Sequence, residues 1–304
     1  MATSSHPRVR DDLFDAAFLR RVEHLALLAR RISSSGQRAN RRSKTIGAGI
    51  EFADHRAYSE GDDLRHVDWK VFGRSERLLI RRYEEEQDLS VFFMVDCSPS
   101  MTMGRAGQLT PFERALQVAA ALAYVSLSNL DRVCLVPFTN GQARPLKVLR
   151  GRAQYASLLR QLSSLSVTGS TQLSTAIRDL PRYRPRRGLV VLISDLCDVD
   201  GVGDALRFLS FHGHDTMVLQ LRDQGAFETS VWGDLTLVDV ETGQRRELTL
   251  TPSLLRAYRA EYAALTAEVE SLCRQVGARH LVTDISTPFD ELVTRVFRTG
   301  GFLG

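Results

Sequence analysis

The sequence has no C-x-x-C pair. Its four cysteines, Cys97, Cys134, Cys197 and Cys273, are scattered along the chain, and three sit in or beside apolar runs. That pattern argues for reduced, buried thiols and against a disulfide framework. Long apolar runs are also missing. The longest, ALQVAAALAYVSLSNL from Ala115 to Leu130, is interrupted by Gln117 and Ser126 and is short for a membrane span, so a buried helix is expected there. The N-terminal MATSSHPRVRDD lacks the apolar core of a signal peptide, and a cytoplasmic location is expected. No Walker A sequence is present, so any ATP hydrolysis is expected to belong to a partner. Neither sign of charge dominates. Forty basic against 36 acidic residues leave a net charge of +4, which by itself demands neither nucleic acid nor a membrane surface. Internal repeats and low-complexity tracts are absent as well.

What is present is an alternation of strands and helices. The chain has 304 residues, 43% hydrophobic and 25% charged, enough to bury a sizeable core. Apolar residues at steps of three and four, from Phe14 through Phe18, Val22, Leu25 and Leu28 to Ile32, predict a helix over about residues 12–32. The polar, basic SSSGQRANRRSK after it reads as a linker. From Leu89 onward, SVFFMV, RVCLVPF, LVVLIS, TMVLQL and RHLVT alternate with helical stretches. These runs are continuously apolar, so they predict strands buried on both faces of a mostly parallel, doubly wound α/β sheet. An inserted β-hairpin is expected in DLTLVDVETGQRRELTL, turning at Glu241-Thr242-Gly243. A long helix follows, with Pro252 near its start and Gly277 past its end. Its stripe of Leu254, Tyr258, Tyr262, Leu265, Val269, Leu272 and Val276 is expected to pack on the sheet. Three segments result: an N-terminal helical arm with linker over 1–45, a distinct segment over 46–88, and the sheet domain over 89–304.

The chemistry gathers at VFFMVDCSPSMTMG, Val91 to Gly104. Its turn offers a serine nucleophile, a redox thiol or a metal cradle. A serine hydrolase of this fold class shows G-x-S-x-G, and glycine flanks neither Ser98 nor Ser100; His280 falls at the start of a strand, the wrong edge. Cys97 has no resolving partner, and Asp96 beside it disfavours a thiolate. Asp96, Ser98 and Ser100, at i, i+2 and i+4, present hard oxygen donors suited to Mg²⁺. Further donors come from other strand ends: Thr171 in TGSTQL and Asp195 at the end of LVVLISD. If the sheet takes the order 3-2-1-4-5-6, the strands ending in Asp96 and Asp195 flank the switch point where open α/β sheets bind ligands.

D-x-S-x-S followed by Thr171 and Asp195 resembles the metal-ion-dependent adhesion site of von Willebrand factor A-like domains. That resemblance implies that Asp96, Ser98, Ser100, Thr171 and Asp195 hold Mg²⁺ or Mn²⁺, with a vacant position for a partner's carboxylate. Upstream, Gly49 to Phe52, Tyr58, Gly61, Asp62, Arg65, Asp68 and Trp69 form a G-x-E-F, Y-x-x-G-D-x-x-R-x-x-D-W stretch. It resembles the bacterial domain-of-unknown-function 58 proteins over about residues 45 to 300. This second resemblance implies a partner: a MoxR-type AAA+ ATPase, or its client, in assembling or activating other proteins. The function expected is therefore a metal-dependent protein-binding module and not an enzyme. The competing class is a Mg²⁺-dependent hydrolase using the same site.

Weaker signals have ordinary readings. Tyr58 to Trp69 reads as a structural turn, with Asp62 or Asp63 capping, Arg65 paired to an acid and Trp69 packed. The stretch from Asp195 to Leu206 fails as a calcium loop, and Gly201-Val202-Gly203 lacks the third glycine of a dinucleotide site. His212 and His214 have no third zinc ligand. The basic arm of Arg30, Arg31, Arg38, Arg41, Arg42 and Lys44, and the cluster of Arg182, Arg184, Arg186 and Arg187, lack interleaved aromatics. No nucleic-acid partner is expected.

Overall fold

Strands that are apolar at every position need cover on both faces, and the fold supplies it. A computed structural model describes residues 10, 12–34, 46–47, 51–84, 89–104, 107–139, 141–169, 172–179, 187–197, 199–223, 225 and 231–299. The chain forms two compact units. The larger comprises residues up to Ile32 together with Leu89–Leu303, and the smaller is Ser33–Asp88. Residues 35–44 of the expected linker, most of the basic arm, Thr171 and the arginines at 182–186 lie outside the described residues.

In chain order the chain opens with helix α1 (Ala16–Ser34). The small unit follows, with strands β1 (Ile46–Gly47) and β2 (Glu51–Ala57), helix α2 (Trp69–Ser75) and strand β3 (Leu79–Glu84). Its antiparallel sheet has the order β1-β3-β2. Asp68 holds the unit's turn. It caps α2 by accepting from the amides of Lys70 at 3.0 Å and Val71 at 3.2 Å. Arg81 Nη2 donates to the same carboxylate at 2.8 Å, and His55 Nε2 lies 2.9 Å from its other oxygen. Arg81 first, then His55, hold the Asp68 carboxyl well below its ordinary range. A depressed carboxyl stabilises the fold above the unfolded pKa of about 4, and that contribution is lost as pH falls below it. In a Trp232→Phe background, Trp69 fluorescence should therefore report loosening of this unit as pH falls below about 4. Asp68→Asn should already unfold at lower denaturant at neutral pH and show no such acid step. Unchanged denaturation of that variant would contradict the assignment.

Asp63 caps a short 3₁₀ turn and pairs with Arg65 at 2.8 Å, while Arg56 pairs with Asp62 at 2.8 Å. The capping and pairing expected for this stretch are present. Trp69 is a correction: it is 58% exposed, with the edge of Phe72 against it.

The larger unit contains β4 (Ser90–Asp96), α3 (Pro111–Ser128), β5 (Arg132–Thr139), β6 (Gln142–Ala143), β7 (Leu149–Arg150), α4 (Tyr155–Ser163) and α5 (Leu173–Asp179). It continues with β8 (Gly188–Ser194), α6 (Val199–Phe211), β9 (Asp215–Arg222), the hairpin β10 (Gly233–Val238) and β11 (Arg245–Leu250), α7 (Pro252–Val276), β12 (Arg279–Asp284) and α8 (Phe289–Thr299). The main sheet runs β12-β9-β8-β4-β5-β6, with β7 also pairing β5. The five long strands are parallel, and only β6 and β7 run antiparallel. Numbered from β4, with β6 third, the order is 3-2-1-4-5-6, as assumed from the sequence.

Side chains alternate between two cores. Val91, Phe93 and Val95 point to one, with Val191 and Ile193 beside them, under α1, α3, α4 and α8. Met94, Val136, Val190 and Leu192 point to the other, under α5, α6 and α7. Helix α3 is the longest apolar tract of the sequence and is buried from Pro111 to Leu127. Thr110 and Glu113 form a capping box at its start, which Pro111 suits. Among the described residues no helix is long and apolar enough to cross a membrane.

Two expectations change. Helix α1 is not an arm: Phe18, Val22, Leu25 and Ala26 are part of the first core, and Phe18 packs on Phe289 with ring centroids 5.2 Å apart. Leu28, expected on the buried stripe, is 38% exposed. Of the expected stripe of α7 only Val269 is buried, beside Cys273, which lies off that stripe, while Leu254 and Tyr258 are 39% and 57% exposed. There Gly203 of α6 lets α7 come close: a Cβ on it would lie 3.3 Å from Leu272. Gly201 and Gly203 thus lie inside α6 and form no strand-to-helix turn.

Candidate metal site at the sheet edge

β4 and β8 are adjacent parallel strands, Val95 standing opposite Ile193. Their carboxyl ends therefore bring Asp96 and Asp195 to one edge, at the point where chain order reverses on either side of β4. Asp96 and Ser98 are fully buried. One Asp96 oxygen accepts from the Ser98 amide at 2.9 Å and the other from the Ser194 hydroxyl at 2.6 Å. Ser194 in turn accepts from the Leu196 amide at 2.9 Å. The Ser98 and Ser100 hydroxyls are 3.0 Å apart, and the Ser100 side chain works against the rise of the Asp195 carboxyl. The turn thus gathers oxygens of Asp96, Ser98 and Ser100 beside Asp195 at the ends of the two strands.

The electrostatics fit a cation. Burial, then repulsion from Asp195, pushes the Asp96 carboxyl up to about 7, against the pull of its Ser194 and Ser98 hydrogen bonds. Burial also raises Asp195. Two carboxylates held together out of water are costly without a compensating charge. Hydroxyls and carboxylates are hard donors of the kind Mg²⁺ takes. Among the described residues no group of three or more His, Cys, Asp and Glu side chains is gathered to hold a metal; this set has two carboxylates and otherwise hydroxyls.

The loop that carries Thr171 is fastened to the same turn. The Thr168 amide donates to Cys97 O at 2.9 Å, and the Thr139 hydroxyl donates to Thr168 O. After Thr171, Gln172 lies against Gly141, whose φ of +66° and missing Cβ make room: a Cβ there would sit 2.9 Å from Gln172 Oε1. Thr171 itself lies outside the described residues.

Cys97 is the spacer between two donors. Burial and then Asp96 push its thiol up to about 12, which leaves it unreactive. All four cysteines are free.

The sequence reading missed three contributors. Ser194 is the direct partner of Asp96, and the S-D pair closing LVVLISD was its only signal. Gln220, buried near the end of β9, donates to Asp195 O at 3.4 Å. His280 is the second residue of β12, as the wrong-edge reading had it, yet its Nε2 lies 3.1 Å from Gln220 Oε1. A polar line thus crosses three strands to the Asp195 backbone, where Leu196 adopts a left-handed φ of 57°. His212 and His214 lie at the opposite edge, before β9; His214 packs edge-on to Phe92.

Comparison with known proteins gives a family. The model of the family described as Protein of unknown function DUF58 matches residues 54–272. Uncharacterized proteins of Mycobacterium bovis and Mycobacterium tuberculosis are each 29% identical over 238 residues, spanning 76% of this chain and 74% of theirs. One from Mycobacterium avium is 32% identical over 133 residues, 42% of this chain and 77% of that protein. Among solved structures, the conserved hypothetical protein BatB of Bacteroides thetaiotaomicron aligns at a TM-score of 0.46 and 16% identity, over 71% of this chain and 98% of that one. An aerotolerance-related membrane protein of Bacteroides fragilis aligns at 0.43 and 17%, over 69% and 98%. Structural likeness at that level carries no weight for fold or function, whereas the family model spans most of the sequence: this chain belongs to the DUF58 family.

Proposed function

We propose that this chain is a metal-dependent protein-binding module, without chemistry of its own, whose larger unit is a von Willebrand A-like domain. Asp96, Ser98, Ser100, Thr171 and Asp195 would hold Mg²⁺ or Mn²⁺. When bound, the cation supplies a positive, oxygen-seeking centre for a partner's Asp or Glu. The partner in this reading is a MoxR-type AAA+ ATPase or its client. The observation that carries the proposal is the gathering of carboxylate and hydroxyl oxygens at the ends of two adjacent parallel strands. The strand order and the anchoring of Thr168 beside Cys97 support the same reading.

A pull-down from native lysate tests it, with Mg²⁺ or with EDTA, comparing wild type with Asp195→Asn. Asp195 is preferred because it is less buried than Asp96, so its substitution leaves fewer buried groups unpaired. A AAA+ ATPase should be enriched only by wild type with Mg²⁺. Enrichment that ignores both EDTA and the substitution would exclude the metal, and its absence in every condition would exclude the partner.

A further inference from the structure

In the motif from Tyr58 to Trp69 the fold uses every residue but the last. The Tyr58 amide donates to Leu78 O at 3.0 Å. Gly61 turns the chain at a φ of +99°. Asp62, Asp63 and Asp68 pair with Arg56, Arg65 and Arg81. Trp69 instead holds its ring in water at the start of α2, with the Phe72 ring edge-on at 6.1 Å between centroids. Phe72 is exposed too, as are Leu64 before the helix and Leu78 after it. Single apolar side chains on a surface are ordinary, whereas a contacting pair of exposed aromatic rings is the kind of feature that anchors a partner.

Gly73 is a second, independent observation. With about 100° between successive helical residues, it falls between Trp69 and Phe72 on one side and Lys70 and Arg74 on the other. Glycine weakens a helix interior, and a left-handed φ or a close neighbour is what usually requires it there. Gly73 has neither: its φ lies outside the left-handed region, and a Cβ on it meets nothing within 4 Å. Gly203 of α6, by contrast, has Leu272 3.3 Å from such a Cβ. Nothing among the described residues requires glycine at 73. A main chain arriving from outside does, because it can then lie close on α2 between the rings and the cations.

Charge selects the chemistry of that arrival. Residues 69–78 carry Lys70, Arg74 and Arg77 against Glu76, a net charge of +2. All three cations are exposed and make no ion pair among the described residues. An anionic lipid surface calls for a wider array, about four to eight clustered basic residues. A notch one residue wide, with rings along one wall and cations along the other, suits an extended chain.

We infer that this face of α2 binds an acidic segment of a partner protein. An apolar side chain of the segment lies against Trp69 and Phe72, its main chain passes over Gly73, and its Asp or Glu side chains meet Lys70 and Arg74. The surface lies within the small unit and does not depend on the metal site.

The test is Trp69 fluorescence in the full chain carrying Trp232→Phe, which leaves Trp69 as its one tryptophan. Three capped peptides are titrated: Glu-Asp-Leu-Phe-Asp-Glu, its uncharged form Gln-Asn-Leu-Phe-Asn-Gln, and its form without apolar side chains, Glu-Asp-Gly-Gly-Asp-Glu. The first should bind roughly three- to tenfold more tightly than either control at low salt. Lys70→Gln with Arg74→Gln should remove its advantage over the uncharged peptide. Gly73→Ala separates binding from folding: it should raise the unit's resistance to denaturant while weakening the acidic peptide roughly threefold or more. A folding defect would lower both. Equal binding of the three peptides, or Gly73→Ala binding as its parent does, overturns the inference. So does saturation by phosphatidylserine vesicles with none by the acidic peptide, which assigns the face to lipid.

Discussion

Phe18→Ala should destabilise the large unit by about 3–5 kcal/mol, the usual cost of emptying a buried phenylalanine site. In a unit of this size the melting temperature should fall by about 6–20 °C. Phe18 is 1% exposed, and its ring is wedged between Phe14, at 5.4 Å between centroids, and Phe289, at 5.2 Å. Around it Leu13, Val22 and Leu25 join the core that α3 and α8 share. The control is Leu27→Ala on the same helix, 59% exposed, which should change stability by no more than about 0.5 kcal/mol. Two variants nine residues apart, one severe and one silent, measure whether α1 belongs to the core. Equal, small effects would mean that it is a detachable arm.

Asp96→Asn should abolish stabilisation by Mg²⁺. At a cation concentration about 100 times the dissociation constant, binding to the folded state alone adds about 2.7 kcal/mol. For the wild type that corresponds to a rise in melting temperature of about 5–10 °C. Asparagine keeps the shape of the side chain, so the Ser98 amide and the Ser194 hydroxyl still have an oxygen or nitrogen to meet. The variant should therefore fold, and its metal-free melting temperature should lie near or above that of the wild type. It removes the buried negative charge, whose neighbour Asp195 repels it. Loss of the Mg²⁺ shift together with a folded, unshifted baseline separates loss of a ligand from loss of the fold.

Much of the large unit was legible because a parallel sheet writes itself plainly. Runs such as LVVLIS are apolar at every position only when both faces are covered, and five of them fixed the sheet's class. The hairpin was legible from its alternation and the Glu241-Thr242-Gly243 turn. The site was legible in part for the same reason: ligand edges follow from strand order, so Asp96 and Asp195 could be placed together before any coordinates. Periodicity says which face of a helix is apolar, but not how far its cover extends. Helix α7 has 25 residues. It is therefore about 37 Å long, while an eight-residue strand such as β9 spans about 26 Å. Its first half overhangs the sheet, which is why Leu254 and Tyr258 are exposed. The amphipathic pattern of α1 fitted an arm and a core helix equally, and only the rings of Phe289 and Phe18 decide between them. An aromatic beside a capping aspartate need not be packed: Asp68 spends its bonds on Arg81, His55 and the helix amides, and Trp69 stays 58% exposed. Ser194 and Gln220 act through neighbours brought near by folding, and no local spacing announces them.

The most direct test of the central claim is calorimetric titration of Mn²⁺ into the metal-free full chain, wild type beside Asp96→Asn and Asp195→Asn, with circular dichroism confirming that all three are folded. The account predicts one Mn²⁺ per wild-type chain, displaced by Mg²⁺, and no saturable site in either variant. Stoichiometric binding that survives both substitutions, or a folded wild type that binds no cation, would contradict it.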